Sequence, residues 1–498
     1  YKGGVNYTET FGTTGIWDSI IYRFLHHKQI TIPQSNRRQK EAYPGGYVKE
    51  PKIGMSKWIT SFDLNSLYPN LIVQYNMSPE TLVLDDSTTS GVDYYLENKA
   101  ILEDGTDYAV AANGSMYRKD KRGVLPEIIV GLYDERRVIK NEMLSKKQDY
   151  EKNKSKSLAT QITQLDNRQM AVKLLLNSLY GALGNQYFRY FDMSMAEGIT
   201  LSGQLSIRWA ESSINKALNK ILDTDEDYVI AIDTDSLYVN LEPLVDRVNP
   251  KDPVKFIDDS CEKKLVPILQ KSYDKMFTHM NGYENRMVMA REAIADRGVW
   301  TAKKRYILNV HNNEGVQYKE PKLKIMGIEA VKSSTPQVVR DKFVKAYEII
   351  LNHSEEDLQK FVSDFYEEFK SLPAEDVSFP RGVSDIEKWR DEITVYKKGC
   401  PIHVRGALIF NKLSKQNKLN VENIKNGSKV KFCYLKKPNT CMENIISFPA
   451  FLPKEFGLQE FVDYETQFNK TFKEPLKLVS DAVNWNLDKV HTLEAFFS

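Results

Sequence analysis

YVIAIDTDSLYVNL, residues 228–241, is an apolar run, a polar tetrad and a second apolar run. Positions 228–232 and 237–241 are rich in β-branched and aromatic residues. With Asp233, Thr234, Asp235 and Ser236 between them, they predict a strand, a tight turn and a returning strand. Asp233 and Asp235 stand two positions apart, which in an extended chain sends both carboxylates to one side. Like charges at a hairpin tip repel unless cations sit between them, and such an arrangement suits a divalent metal and phosphoryl chemistry. Asp and Ser are also ordinary turn residues, so a plain hairpin accounts for the tetrad taken alone.

Upstream, WITSFDLNSLYPNLIV (58–73) repeats the logic. Residues 58–62 predict a strand that Asp63 ends, and a turn or short helix follows. Asp63 completes a candidate acidic triad with Asp233 and Asp235. Mg²⁺ is usually held by one or two carboxylates plus substrate phosphates. Two ions about 3.5–4 Å apart can clamp the attacking and leaving oxygens of an in-line displacement. QMAVKLLLNSLYGALGN (169–185) has helical apolar spacing and stops at Gly181 and Gly184. Lys173, Asn177 and Tyr180 share one face of it. GLYDERRVIKNEMLSKK (131–147) predicts a second helix, with Arg136 and Lys140 at i, i+4. Singly, each is an amphipathic helix with solvated cations. As a pair they can hold a polyphosphate, Arg136 as a bidentate fork and the lysines as point charges.

In this order, the motifs resemble those of family B DNA polymerases, and within that family the replicative enzymes of T-even-like bacteriophages. SLYP beside Asp63, KxxxNSxYG from Lys173 to Gly181 and DTDS at Asp233 match three polymerase motifs. KKRY (303–306) matches a fourth, and YPGG (43–46) matches the Tyr-x-Gly-Gly element that contacts template. Supporting strings are WDSIIY, VKEP, MSPET, REAIA, KLKIMG and SSTP. The resemblance covers nearly the whole chain. It implies an α+β fold, a right-hand polymerase with a palm sheet, helical fingers and a thumb. Residues 1–34 are then a linking remnant of an N-terminal and exonuclease region. Residues 35–127 and 184–335 form the palm, 128–183 the fingers, and 336–498 the thumb with a C-terminal tail.

Site roles follow from the same resemblance. Asp63, Asp235, Asp233 and Lys173 are the catalytic set. Asp63, the Leu64 carbonyl, Asp233 and Asp235 would hold two Mg²⁺ ions, for which Mn²⁺ can substitute. Asn65, Ser66, Leu67, Tyr68, Arg136, Lys140, Lys173, Asn177 and Tyr180 would bind the dNTP, with Tyr68 excluding a 2′-hydroxyl. Tyr43, Gly45, Gly46, Gly181, Lys303, Lys304, Arg305 and Tyr306 would meet primer–template DNA. The terminal Leu493, Phe496 and Phe497 resemble a sliding-clamp peptide, although the usual leading Gln is missing.

The chain departs from the family pattern in two ways. Relatives carry a 3′–5′ exonuclease before the palm, and here only a short stretch precedes YPGG. The expectation is therefore synthesis without proofreading, the editing half being a separate polypeptide or absent from this piece. VSDIEKW (383–389) imitates an exonuclease motif in the wrong order, and Asp385 and Glu387 read as solvated charges. The fingers look short at their tip, where KKQDYEKNKSKSLATQ (146–161) is the most polar stretch.

Composition narrows the partners without choosing the function. Net charge is only +2 over 498 residues, so DNA must be met by local basic patches and not by a global field. The four cysteines form no CxxC pair, which argues against zinc and fits reduced thiols in a host bacterium's cytoplasm. No apolar run reaches 18 residues, so no membrane partner is expected. The alternative to a polymerase is a catalytically silent, DNA-binding or clamp-tethered scaffold that keeps the fold. The retained acidic set opposes it.

Overall fold

The two apolar runs flanking the polar tetrad in 228–241 form the expected hairpin in the computed structural model, which describes residues 3–35, 39–84, 91–97 and 107–489. Strand β1 (Val48–Lys49) is short and β2 (Gly54–Leu64) long; β3 (Val229–Asp233) and β4 (Ser236–Asn240) form the hairpin. Three further strands follow, β5 (Met289–Ala302), β6 (Arg305–Asn313) and β7 (Val316–Met326). Their order in the seven-stranded sheet is β1-β3-β4-β2-β5-β6-β7. Pairing of β2 with β4 is antiparallel and sets Asp63 opposite Ser236.

The chain forms two compact units. The first is built on Ser56–Asp296 and Val310–Lys322 with the chain before Lys52. The second takes Ile53–Met55, Arg297–Asn309 and the chain from Leu323 onward.

In the first unit, helix α1 (Thr13–His27) is followed by α2 (Leu67–Gln74), α3 (Val124–Lys152), α4 (Lys156–Leu183), α5 (Met193–Leu222) and α6 (Val266–His279). Apolar faces of all six join Val229, Ile232, Leu237 and Val239 in one core. The sequence shows how α3 and α4 come to be mounted. The first amides of α3 lack intrahelical acceptors, and the 76–80 segment supplies them. Asn76 Oδ1 accepts from Gly123 N (2.8 Å), Glu80 Oε1 from Val124 N (2.6 Å) and Ser78 Oγ from Leu125 N (3.3 Å). Ser155 caps α4, accepting from Leu158 N at 3.1 Å. Ile139, Met143 and Leu165 pack the two helices together near their distal end. The polar 146–161 segment forms the distal ends of the two helices and the 153–155 connection between them.

The second unit has two cores. One joins α7 (Gln337–Asn352) and α8 (Glu355–Lys370) through Phe343, Phe365, Phe369, Phe468 and Phe472. The other packs β8 (Phe379–Gly382), β9 (Lys429–Tyr434) and β10 (Ile445–Phe448) against α9 (Ile402–Gln416). Gly406 permits that approach: a Cβ there would lie 2.5 Å from Ser447 Oγ. Asp385 and Glu387 are exposed, and Glu387 pairs with Arg390 at 3.2 Å, as solvated charges do. The expected clamp contacts Leu493, Phe496 and Phe497 lie outside the described residues. No helix among the described residues is long and apolar enough to cross a membrane.

Trp17 ties α1 to α4. It is fully buried, and its indole N–H donates to Leu175 O (3.1 Å) and Ser178 Oγ (3.0 Å). Trp17→Ala should cost about 3–5 kcal/mol and lower the urea midpoint accordingly. Trp17→Phe, which keeps an apolar ring and loses the hydrogen bonds, should cost only about 1–2 kcal/mol.

Candidate active site

Asp63 ends the ladder of β2 and Asp235 occupies the β3–β4 turn. The Leu64 amide donates to the Asp235 carbonyl at 2.9 Å, and Ser236 Oγ donates to Asp63 Oδ2 at 3.0 Å. The turn itself departs from the sequence expectation. Thr234 has φ +60°, and the Asp235 amide donates back to the Asp233 carbonyl at 2.7 Å. This is a three-residue reversal of the rare γ type. Simple alternation therefore does not place Asp233 and Asp235 on one side, because the chain between them is not extended. Asp63 and Asp235 line the same cavity, and the field of Asp233 reaches Asp235.

Tight packing imposes the reversal. Thr234 N donates to Tyr47 O at 2.9 Å. A Cβ on Gly46 would lie 2.8 Å from the Tyr68 hydroxyl and 2.9 Å from Thr234 Cγ2, so only glycine fits between them. Gln204 Nε2 donates to Gly45 O at 2.6 Å. Tyr43 hydrogen-bonds Tyr180, whose ring centroid lies 4.8 Å from that of Tyr68. The YPGG element thus braces both the acidic turn and a tyrosine cluster.

Asp63, Asn65, Ser66, Leu67, Tyr68, Arg136, Lys140, Lys173, Asn177, Tyr180 and Asp235 line one cavity of about 290 Å³. Elements far apart in sequence meet there: the end of β2, the start of α2, the β3–β4 turn and one face each of α3 and α4. Ser66 enters α2 in a left-handed conformation, φ +49°, and accepts from Arg136 Nη1 at 3.2 Å. Lys140 pairs with Glu314 at 2.6 Å. Lys173 and Asn177 are exposed on the adjoining face of α4.

Glu292 and Glu314 line the same cavity and were not singled out from the sequence. Glu292, within REAIA, accepts from Ser61 Oγ at 2.9 Å. The available signal was a carboxylate inside the REAIA string of β5. Glu314 lies in an ordinary-looking turn and gave none.

KKRY belongs to the second unit. Lys303 and Lys304 form the turn between β5 and β6, and Gly327 must be glycine because a Cβ there would lie 2.1 Å from the Lys304 carbonyl. Arg305 pairs with Glu329 at 3.1 Å. Tyr306 differs from the expected DNA-facing side chain. Its ring is 3% exposed and stacked on Trp300 with centroids 5.5 Å apart, mutual burial being worth more to two aromatics than solvation. Gly181 is exposed on α4.

The electrostatics are one-sided. Burial, then the fields of Asp235 and Glu292, push the Asp63 carboxyl up to about 7. Burial chiefly, with Asp233 and Glu292 adding, raises Asp235 to about 6. Lys173 opposes both shifts without cancelling them. A desolvated carboxylate pair with too little countercharge fits a divalent cation. Among the described residues no three acidic, histidine or cysteine side chains converge tightly enough to hold an ion unaided, so the expected triad is not preassembled. Ligand phosphates fit the remaining coordination positions.

Residues 12–249 match the model of DNA polymerase family B. The chain is 32% identical over 541 residues to a DNA-directed DNA polymerase of Enterobacteria phage T4, covering 97% of this chain and 60% of that protein. It is also 32% identical over 559 residues to that of Escherichia phage RB69, covering 100% and 61%. DNA polymerase 1 of Pyrococcus abyssi is 29% identical over 322 residues, covering 64% and 34%. Residues 12–249 are thus a DNA polymerase family B region. It spans about 60% of the length of the two phage relatives. The α+β arrangement of antiparallel sheet and long helices is that of the family B fold.

The raised Asp63 value gives this cavity a cost that can be measured. Folded protein keeps a proton that the unfolded chain loses from about pH 4. Stability therefore falls as pH rises from about 4 to 7 and stays lowered above. In metal-free buffer Asp63→Asn should melt higher than wild type at pH 8, by about 1–3 kcal/mol, and equally at pH 3.5. A gap that is constant with pH, or reversed, would contradict the charge argument.

Proposed function

We propose that this chain is a template-directed DNA polymerase. The 3′-hydroxyl of a primer attacks the α-phosphate of a dNTP, the O3′–P bond forms, the bridging P–O bond breaks and pyrophosphate leaves. The observation that carries the reading is the convergence of Asp63 and Asp235 with Tyr68, Arg136, Lys140, Lys173, Asn177 and Tyr180 around one small cavity.

Two divalent cations, Mg²⁺ or in its place Mn²⁺, would be held by Asp63, Asp235, the Leu64 carbonyl and less directly Asp233, and would supply positive charge for the primer hydroxyl and the leaving pyrophosphate. Arg136, Lys140 and Lys173 hold the phosphates from the α3–α4 hairpin, which serves as the fingers. No side-chain nucleophile is required. Closure of that hairpin excludes water and aligns the reacting atoms. Tyr68, held by Gly46 and by the Tyr180 ring, lies under the sugar and fills the space of a 2′-hydroxyl. Asn177 and Tyr180 face the nascent base pair.

The sheet and its helices act as the palm, and the second unit from about residue 336 acts as the thumb, gripping duplex product through its phosphates without regard to sequence. Tyr43, Gly45, Gly46 and Gly181 in the first unit, and Lys303, Lys304 and Arg305 in the second, meet primer–template. The role is replicative, in the cytoplasm of a bacterial host. Leu493, Phe496 and Phe497 are proposed to engage a sliding clamp.

Primer extension by the purified chain, with and without Mg²⁺, tests the reading. Asp63→Ala or Asp235→Ala should slow single-nucleotide incorporation by several orders of magnitude, about 1.4 kcal/mol of barrier per decade. Incorporation within tenfold of wild type in either variant would remove these residues from the chemistry. Tyr68→Ala should raise ribonucleotide use, and unchanged dNTP/NTP selection in that variant would refute the steric gate.

A further inference from the structure

We propose that Glu314 is an internal stand-in for a phosphate. It holds Lys140 in the nucleotide-free protein, and an incoming triphosphate must displace it. The inference rests on the polymerase reading above.

Three observations lead to it. Lys140 Nζ lies 2.6 Å from Glu314 Oε1, so a cation expected to bind phosphate is already paired with an anion. Both residues line the 290 Å³ cavity, and both also line an adjoining cavity of about 550 Å³ that holds Arg137, Glu262 and Arg291. The ion pair thus stands where the two spaces meet.

The second observation is conformational. Glu314 has φ +48° and Gly315 φ +82°, two left-handed residues in succession between β6 and β7. That turn favours Asn-Gly or Asp-Gly, and a glutamate at its first corner carries the steric penalty of a left-handed Cβ. The Glu314 amide donates to Glu292 O at 2.6 Å, which pins the corner to β5. A residue held in a disfavoured conformation beside a candidate active site is there for its side chain.

The third is a ladder of contacts. Along α3, Lys140 meets Glu314, Gln148 Oε1 accepts from Gln317 N at 3.3 Å, and Glu151 pairs with Lys322 at 2.7 Å. Positions 140, 148 and 151 share one helix face. The helix that carries Arg136 and Lys140 is therefore fastened to the β6–β7 hairpin, and the fastening at the cavity is the only one of the three made by a residue of the phosphate set. Releasing Lys140 to a triphosphate removes the cavity-side fastening of α3 and leaves the two distal ones. Glu314 accordingly acts on nucleotide through Lys140 and is a positioning residue.

The test measures dissociation constants for the matching dNTP with a dideoxy-terminated primer–template and Mg²⁺. Glu314→Asn suits the turn better than glutamate, so the variant should fold with equal or higher melting temperature. Its affinity for dNTP should rise about three- to fivefold, the size of releasing one partly exposed ion pair. Glu314→Gln should show the same direction. Loss of a negative charge near an anion site would also tighten binding in general, so the cycle with Lys140→Gln decides. In the latch, Glu314→Asn has no effect once Lys140 is gone. The same gain in both backgrounds would show a field effect and overturn the proposal, as would unchanged or weaker binding by a folded Glu314→Asn. If wild type itself binds no dNTP, the polymerase reading fails and the latch with it. If wild type binds and Glu314→Asn does not bind tighter, only the latch fails.

Discussion

The antiparallel register of β2 and β4 is the constraint on which the site depends. It sets Asp63 opposite Ser236 and lets the Leu64 amide reach the Asp235 carbonyl. A one-residue slip would turn every side chain of β2 to the other face and take Asp63 away from Asp235. The register is held from several sides. Phe62 and Leu64 on one strand and Leu237 and Val239 on the other are buried in the same core, so a slip would expose them. Beyond the turn, Tyr47 and Gly46 close over Thr234, and the reversal admits no looser alternative.

That rigid frame holds an arrangement the fold alone would not choose. Asp63, Asp235, Glu292 and Glu314 share a small cavity with Arg136, Lys140 and Lys173, and the carboxylates nearest the centre are pushed toward their neutral forms. Acids kept out of water and close together destabilise the free protein. Their retention makes sense where a ligand brings cations and phosphates that satisfy both signs at once. The division of labour follows the elements. Acids sit on the sheet and its turns, which are rigid. Cations for phosphate sit on two long helices that are polar at their far end and joined to the core near their near end.

Much of this was legible in the sequence. The strand–turn–strand around Asp233, the strand ending at Asp63, the helix carrying Lys173, Asn177 and Tyr180, and the helix carrying Arg136 and Lys140 all follow from local periodicity. Local patterns are readable because a buried strand or helix face demands its own spacing of apolar residues. The misread points were set by contacts distant in the chain. Alternation suggested that Asp233 and Asp235 share a side, but Tyr47 and Gly46 impose a γ-type reversal between them. KKRY suggested four DNA-facing residues, but Tyr306 is turned inward onto Trp300.

By itself the sequence determined the elements, the family its first half resembles and most of the residues that meet in the cavity. These depend on residue type and spacing, which are properties of short segments. Only the tertiary structure decided that Glu292 and Glu314 join the site, that Lys140 is already paired, and that the tyrosines at 43, 68 and 180 form one cluster. A carboxylate on a strand or in a turn looks alike whether it faces water or a second carboxylate. The difference lies in burial and in the charges brought near it, and those are fixed by strands and helices that lie tens to hundreds of residues apart in the chain.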